Sequence, residues 1–220
     1  MKLSVIITAG GTSSRYGKKD KLLEKLNGKE VILHSIEAFL PLNPYEIIVS
    51  TTENLEQYIK ELTKHIPNIK FVRGGNTRQA SIFNALKDCE KPDMVAIHDA
   101  ARPLIKQKDI QNCIDKASKT QAAIIAVKAI DTIKKTNETG KIIETPNRSN
   151  LWTVQTPQIF DFNLIFNAHQ KLEGQSFSDD SGMLESLGVD VYIVEGSYSN
   201  IKITTPKDLY LAEMLMQEEI

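Results

Sequence analysis

The sequence predicts an α/β fold: a mainly parallel sheet with helices packed on both faces. Short apolar, β-branched runs alternate with longer amphipathic stretches along the first 127 residues, the pattern of repeated strand–helix units. Hydrophobic residues make up 41% of the 220-residue chain, enough to bury a core without a metal or disulfide staple. No internal repeat, low-complexity tract or Pro-, Gly- or Ser-rich linker interrupts it, so a single domain over 1–220 is expected.

The elements follow in order. Residues 3–8 read as a buried first strand, and 31–40 repeat apolar residues at helical spacing. A strand at 46–50, a helix at 55–66, a strand at 69–72 and a helix at 78–89 continue the alternation. A strand at 94–98, a helix at 108–118 and a strand at 122–127 complete it. Right-handed crossovers gather the loops after these strands along one carboxyl edge, where ligands bind in such sheets. The pattern then breaks. Residues 131–135 and 141–144 are short β-prone runs around Asn137-Glu138-Thr139-Gly140, a turn ending in Gly. This hairpin is too polar for core and reads as an arm projecting from the domain. Helices are expected at 162–172, 180–187 and 206–216, with a strand at 191–194.

Composition excludes several function classes. The 27 basic and 28 acidic residues leave a net charge of -1, whereas duplex binders need a positive excess to release counterions, so no nucleic-acid partner is expected. Cys89 and Cys113 are too far apart for a zinc knuckle or a redox Cys-x-x-Cys pair. The apolar run in residues 1–7 is too short for a signal sequence, and no stretch approaches membrane-spanning length. A cytoplasmic protein with no membrane partner is expected.

Four segments carry chemistry. Thr8-Ala9-Gly10-Gly11-Thr12-Ser13-Ser14-Arg15 follows the first strand; adjacent glycines let backbone N–H groups approach an anion, and Arg15 adds a forked cation. Its spacing is neither a Walker A loop nor a dinucleotide fingerprint. Lys18, Lys19 and Lys21 follow at the sheet edge, placed to meet phosphates. Gly74-Gly75-Asn76-Thr77-Arg78-Gln79-Ala80-Ser81 opens a helix, with Asn76 or Thr77 as cap and Arg78 above Ser81 on its first turns. In His98-Asp99-Ala100-Ala101-Arg102-Pro103, an acid ends a buried strand; it either holds Mg²⁺ with substrate phosphates or pairs with Arg102. His98 reads as structural, since no Ser or Cys nucleophile accompanies it. Asn200-Ile201-Lys202-Ile203-Thr204-Thr205-Pro206 reads as a strand entering the last helix, with Lys202 facing away from Ile201 and Ile203. Cations and hydroxyls on loops after strands, plus one acid, equip a site for electrostatic catalysis on phosphate.

Taken together, the chain resembles the 2-C-methyl-D-erythritol 4-phosphate cytidylyltransferases from Val5 to about Met216. The most specific matches are Asp99-Ala100-Ala101-Arg102-Pro103, Asp131-Thr132-Ile133-Lys134 and the run from Arg148-Ser149-Asn150-Leu151-Trp152 to Thr156-Pro157-Gln158. Ser178-Asp179-Asp180 and residues 200–209 extend the likeness. The resemblance implies a three-layer Rossmann-like nucleotidyltransferase fold with a β-arm at about 131–152. It implies transfer of CMP from CTP to the sugar-alcohol phosphate on the non-mevalonate route to isoprenoids, with Mg²⁺ and a homodimer. By that likeness Arg15, Lys21 and Lys202 are catalytic, and Asp99 holds the metal. Ala9, Gly10, Gly11, Thr12, Ser13, Gly75, Asn76, Arg78, Ser81, Asp99 and Ala100 would bind CTP. Thr132 and Arg148 on the arm would hold the sugar phosphate in a second subunit's site. Three positions depart from the family pattern: Ser13 replaces a glycine, Asp20 a proline before the catalytic lysine, and Asn76 an acid. Lys21 fits the catalytic position by its distance from Gly28, with Lys19 the alternative. A ribitol 5-phosphate cytidylyltransferase is the nearest rival reading, and a non-catalytic nucleotide-binding module the rival of another class.

Overall fold

The computed structural model describes residues 1–10, Tyr16 and residues 20–217. The chain runs through β1 (Leu3–Ala9), a small hairpin of β2 (Lys25–Leu26) and β3 (Lys29–Glu30), α1 (Val31–Glu37) and β4 (Glu46–Thr51). Then come α2 (Glu53–Leu62), β5 (Ile69–Arg73), α3 (Arg78–Asp88), β6 (Met94–Asp99), α4 (Gln107–Thr120) and β7 (Ala122–Lys128). The arm carries β8 (Lys135–Thr136) and β9 (Ile142–Glu144). The chain returns as β10 (Trp152–Asp161), α5 (Phe162–Lys171), α6 (Asp180–Ser186), β11 (Tyr192–Glu195) and α7 (Pro206–Gln217).

The main sheet has seven strands in the order β11-β7-β10-β6-β1-β4-β5. Its inner strands β1, β4 and β6 are buried on both faces, so their side chains feed two cores in alternation. Val5 and Ile7 of β1 join Ile47 and Val49 of β4 in one core; Ile6 and Ile48 belong to the other. Helices α1, α2, α4 and α7 cover the first core, while α3, α5 and α6 cover the second, which makes three layers. Each of these isoleucines is essentially removed from water, a gain of about 1.5–3 kcal/mol apiece.

The structure corrects the sequence reading in three places. First, β10 had not been expected as a strand. It inserts between β6 and β7 and runs antiparallel to both, the exception in an otherwise parallel sheet. Its run Thr153 to Gln158 is polar and contains Pro157, which argues locally against a central strand. The ladder with β7 accommodates it through a register shift between Val154 and Gln158. Second, residues 200–204 form no strand and join no sheet; the Ile203 amide donates to the Ala101 carbonyl at 2.8 Å. Third, α1 stops at Glu37 and the 3-10 turn Leu40–Leu42 follows, because Pro41 removes an amide donor and disfavours helix before it.

The arm is exposed throughout residues 131–145, and its β strands are shorter than expected. Asn137 Oδ1 organises the turn by accepting from the Thr139 and Lys141 amides at 3.1 and 3.0 Å. Gly140 closes it with φ +80, a conformation that glycine tolerates without strain. Trp152, the last residue expected in the arm, is the first of β10. Among the described residues, no helix is long and apolar enough to cross a membrane.

Candidate active site

The site is built on the carboxyl edge of the parallel strands, which β10 approaches with its own starting end. Ala9 is buried at the tip of β1 and Gly10 half-buried beyond it. Gly11, Thr12, Ser13, Arg15 and Lys19 lie outside the described residues. Lys21 is half-buried in the turn after Asp20, whose carboxylate accepts from the Leu22 amide at 3.0 Å.

The loop after β5 is braced from within. Thr77 is the cap of α3, accepting from the Ala80 amide at 3.0 Å. Ser81 Oγ accepts from the Gly75 amide at 3.0 Å and donates to the Thr77 carbonyl at 2.8 Å. Its hydroxyl thus holds the loop's shape. A Cβ on Gly75 would stand 2.5 Å from the Ala80 Cβ, so only glycine fits. Half-buried Gly75 and exposed Asn76 are the faces of this loop open to a ligand.

Asp99 sits at the centre. It is 6% exposed at the end of β6, and three cations surround it. Lys202 Nζ lies 2.7 Å from Oδ2, Arg78 Nε 3.5 Å from Oδ1 and Arg102 Nε 3.9 Å from Oδ2. Thr8 Oγ1 donates to Oδ1 at 3.2 Å. Burial alone would push the carboxyl pKa up, but the charges of Lys202, Arg78 and Arg102 outweigh it and hold Asp99 well below the ordinary carboxylate range. Asp99 is therefore ionised. The pairing with Arg102 considered from sequence is present, as the longest of three contacts.

Arg78 divides its guanidinium between Asp99 and the buried Asp180, whose Oδ2 it meets at 2.7 Å. Lys202, Arg78 and Arg102 gather around Asp99, while Asp179 and Glu185 also line the cavity that opens there. Three cationic groups set close together at a sheet's carboxyl edge suit an anion. Lys202 projects furthest, with its side chain 39% exposed.

His98 supports the centre from below. Its Nε2 donates to the Arg102 carbonyl at 3.1 Å, and its Nδ1 accepts from Thr156 Oγ1 at 3.1 Å. The same Thr156 oxygen accepts the Asp99 amide at 3.0 Å. The Arg102 carbonyl only accepts, so Nε2 carries a hydrogen; burial lowers the His98 pKa to about 4 and keeps the ring neutral, which leaves Nδ1 as the acceptor. His98 is thus structural. Arg102 is steered by the Asn200 carbonyl, which accepts from Nη1 at 2.8 Å, and the Asn200 amide bonds in turn to Gln155 Oε1 and the Thr156 carbonyl. Ala100 is fully buried, its amide donating to the Thr8 carbonyl and its carbonyl accepting from Ser35 Oγ.

A cavity of about 930 Å³ opens over this centre, lined by Arg78, Asp99, Arg102, Thr156 and Lys202 and extending to Trp152 of β10. Thr132 and Arg148 do not line it. Both are exposed on the arm, where Arg148 Nη1 donates to the Ile130 carbonyl at 2.5 Å. Among the described residues, no group of three or more His, Cys, Asp or Glu side chains is placed to hold a metal ion. Asp99 is the carboxylate in this cluster that could meet a Mg²⁺ carried by a phosphate ligand.

Sequence reasoning brought Arg78, Asp99 and Lys202 to one place. It missed Thr8, Thr156, Asn200 and Asp180 as partners of that place, and took Arg102 only as a counter-ion. Asp180 had a signal, the doubled acid of Ser178-Asp179-Asp180, but nothing local tied it to Arg78, 102 residues away.

The sequence from residue 3 to 218 matches the family model described as IspD: 2-C-methyl-D-erythritol 4-phosphate cytidylyltransferase. The chain belongs to this cytidylyltransferase family. A cytidylyltransferase of that name from Caldanaerobacter subterraneus is 42% identical over 99% of this chain and 100% of its own length. One from Clostridioides difficile is 41% identical over 98% of this chain and 94% of its own. The crystal structure of the 4-diphosphocytidyl-2C-methyl-D-erythritol synthase from Anaerococcus prevotii superposes with a TM-score of 0.89 at 31% identity, covering 98% of each chain. The seven-stranded sheet with helices on both faces is thus the family's fold, and cytidylyl transfer to 2-C-methyl-D-erythritol 4-phosphate the family's reaction.

Proposed function

We propose that the Asp99-centred cavity is where this cytidylyltransferase joins CTP to 2-C-methyl-D-erythritol 4-phosphate. The observation that carries this reading is the ionised Asp99 held among Lys202, Arg78 and Arg102. An oxygen of the sugar phosphate attacks the α-phosphorus of CTP in line, the bond to the β-phosphate oxygen breaks, and pyrophosphate leaves. The products are 4-diphosphocytidyl-2-C-methyl-D-erythritol and pyrophosphate. Catalysis needs little covalent work from the protein; it needs cations fixed where negative charge builds up. Lys202 and Arg102 meet the reacting phosphates, with Arg15 and Lys21 gripping the triphosphate from the first loop. Ala9, Gly10, Gly75 and Asn76 face the nucleoside. Mg²⁺ is the proposed cofactor, with Asp99 as its protein ligand; when bound, it neutralises charge on the phosphates. Asp99 also holds Lys202 in place between turnovers.

The arm completes the site in a second copy of the chain, where Thr132 and Arg148 bind the sugar phosphate. The support is its exposed apolar surface, Ile130, Ile133, Ile142 and Ile143, on an element too thin to bury them itself. The proposed compartment is the cytoplasm, which holds the charged, phosphorylated substrates.

Purified protein with CTP and Mg²⁺ is expected to release pyrophosphate when 2-C-methyl-D-erythritol 4-phosphate is added, and to stop on chelation. Turnover with ribitol 5-phosphate alone would overturn the assignment. Arg148→Ala subunits mixed with Lys202→Ala subunits should regain activity; silence in verified heterodimers would rule out sites shared across subunits.

A further inference from the structure

His169 lies on α5, outside the cavity lining, and is 1% exposed. Its Nε2 meets Asp180 Oδ1 at 3.2 Å; since an ionised carboxylate only accepts, Nε2 carries the hydrogen. Asp180, also 1% exposed, uses its other oxygen on Arg78 Nη1 at 2.7 Å. Arg78 then turns its Nε toward Asp99 at 3.5 Å. The three members come from α5, α6 and α3, the helices of one face of the sheet.

We infer that His169 is a positioning residue, which through Asp180 sets the orientation of Arg78 in the active site. The inference rests on the cytidylyl-transfer reading of the cavity. A guanidinium is a rigid planar fork, so pinning Nη1 on one carboxylate fixes where its other donors point. Asp180 can serve as that anchor only if its own rotation is fixed. Burial works against its charge, but Arg78 and the His169 hydrogen bond outweigh burial and hold the carboxyl below the ordinary range. Both oxygens are spoken for, one by each partner. Without the imidazole, Oδ1 loses its donor inside the protein, and the carboxylate is free to turn and carry Arg78 with it.

The imidazole is a poor choice on packing grounds. It stacks on Phe83 of α3 with ring centres 5.8 Å apart and an interplanar angle of 22°, and a phenyl ring could do the same. Its Nδ1 meets no hydrogen-bond partner among the described residues, a cost that phenylalanine would avoid. What the imidazole adds at this position is the bond from Nε2 to Asp180.

His169→Phe keeps the stacking surface and removes the donor, whereas His169→Gln returns an amide hydrogen near the Nε2 position. In pyrophosphate-release assays we expect His169→Phe to lower kcat about tenfold, since small misplacements of positioning groups carry such losses, with KM for CTP within about twofold. His169→Gln should recover most of the loss. In an Asp180→Asn background, His169→Phe should cost little more. The Arg78 Nε–H resonance, assigned with Arg78→Lys, should move in His169→Phe and return in His169→Gln. Wild-type kcat in His169→Phe, equal losses in the Phe and Gln variants, or an unmoved Arg78 resonance would overturn the inference. A wild-type protein inactive on 2-C-methyl-D-erythritol 4-phosphate would instead overturn the reaction, and the Arg78 resonance would still decide the role of His169.

Discussion

The Asp99 centre and the arm are the two regions proposed to touch substrate, and they are built on opposite terms. Asp99 is buried, ionised and held by side chains from α3, the segment before α7 and its own loop. The contacts described for it all come from side chains of the same chain. The arm is exposed on both sides, holds Arg148 by a bond to its own backbone, and leaves isoleucines in water. Its proposed role is played in the site of a second copy. Buried charges are costly to disturb because each partner depends on the others, while exposed positions away from such networks change stability by little. The comparison therefore separates function from folding: at the centre the two fall together, and on the arm only function falls.

The sharpest way to break this contrast is Asp99→Asn. It leaves Lys202, Arg78 and Arg102 without their shared anion. We expect turnover to drop on the order of 10³-fold and unfolding free energy to fall by about 3 kcal/mol, read by pyrophosphate release and urea titration. Full stability in the variant would show that the cations do not rely on Asp99. The next effect is on pH. Burial lowers the His98 pKa from 6.5 to about 4, so between those values the unfolded chain binds a proton that the native chain does not. Stability should fall as pH drops through that window, by up to about 3 kcal/mol. His34, also lowered by burial, acts in the same direction. His98→Gln should flatten the slope; an unchanged slope would assign the effect to other groups. Gly75→Ala comes third: its Cβ would press on Ala80 at 2.5 Å, costing about 1–3 kcal/mol and raising KM for CTP. The smallest effect on folding belongs to the arm. Arg148→Ala should raise KM for 2-C-methyl-D-erythritol 4-phosphate about tenfold, with stability within about 0.5 kcal/mol of wild type. A large stability loss there would mean that the arm is part of the fold.

How much could be read in advance follows the same division. The inner parallel strands were legible because their burial on both faces leaves unbroken apolar runs such as Val5-Ile6-Ile7 and Ile47-Ile48-Val49. Asp99 was legible because an acid at the end of such a run demands an explanation. β10 was not: Gln155, Thr156 and Gln158 look like loop residues, and their polarity makes sense only beside Asp99, Asn200 and Asp179. The segment around Lys202 reads as a strand because Ile201 and Ile203 alternate with it. In fact Ile203 packs into the core without joining a ladder. Arg78 was singled out, yet its anchor Asp180 and the residue behind it, His169, were hidden. A contact spanning 102 residues leaves no local trace.

β10 has a mechanical consequence. It emerges from the arm at Trp152 and, four residues later, presents the Thr156 hydroxyl that receives the Asp99 amide. Further along it is clamped on both sides, by β6 and β7. The arm is thus a cantilever whose root is a rib of the sheet itself. Its aim is inherited from the most constrained part of the molecule, and a change in the packing of β10 would re-aim the arm and disturb the Asp99 carboxylate in one stroke.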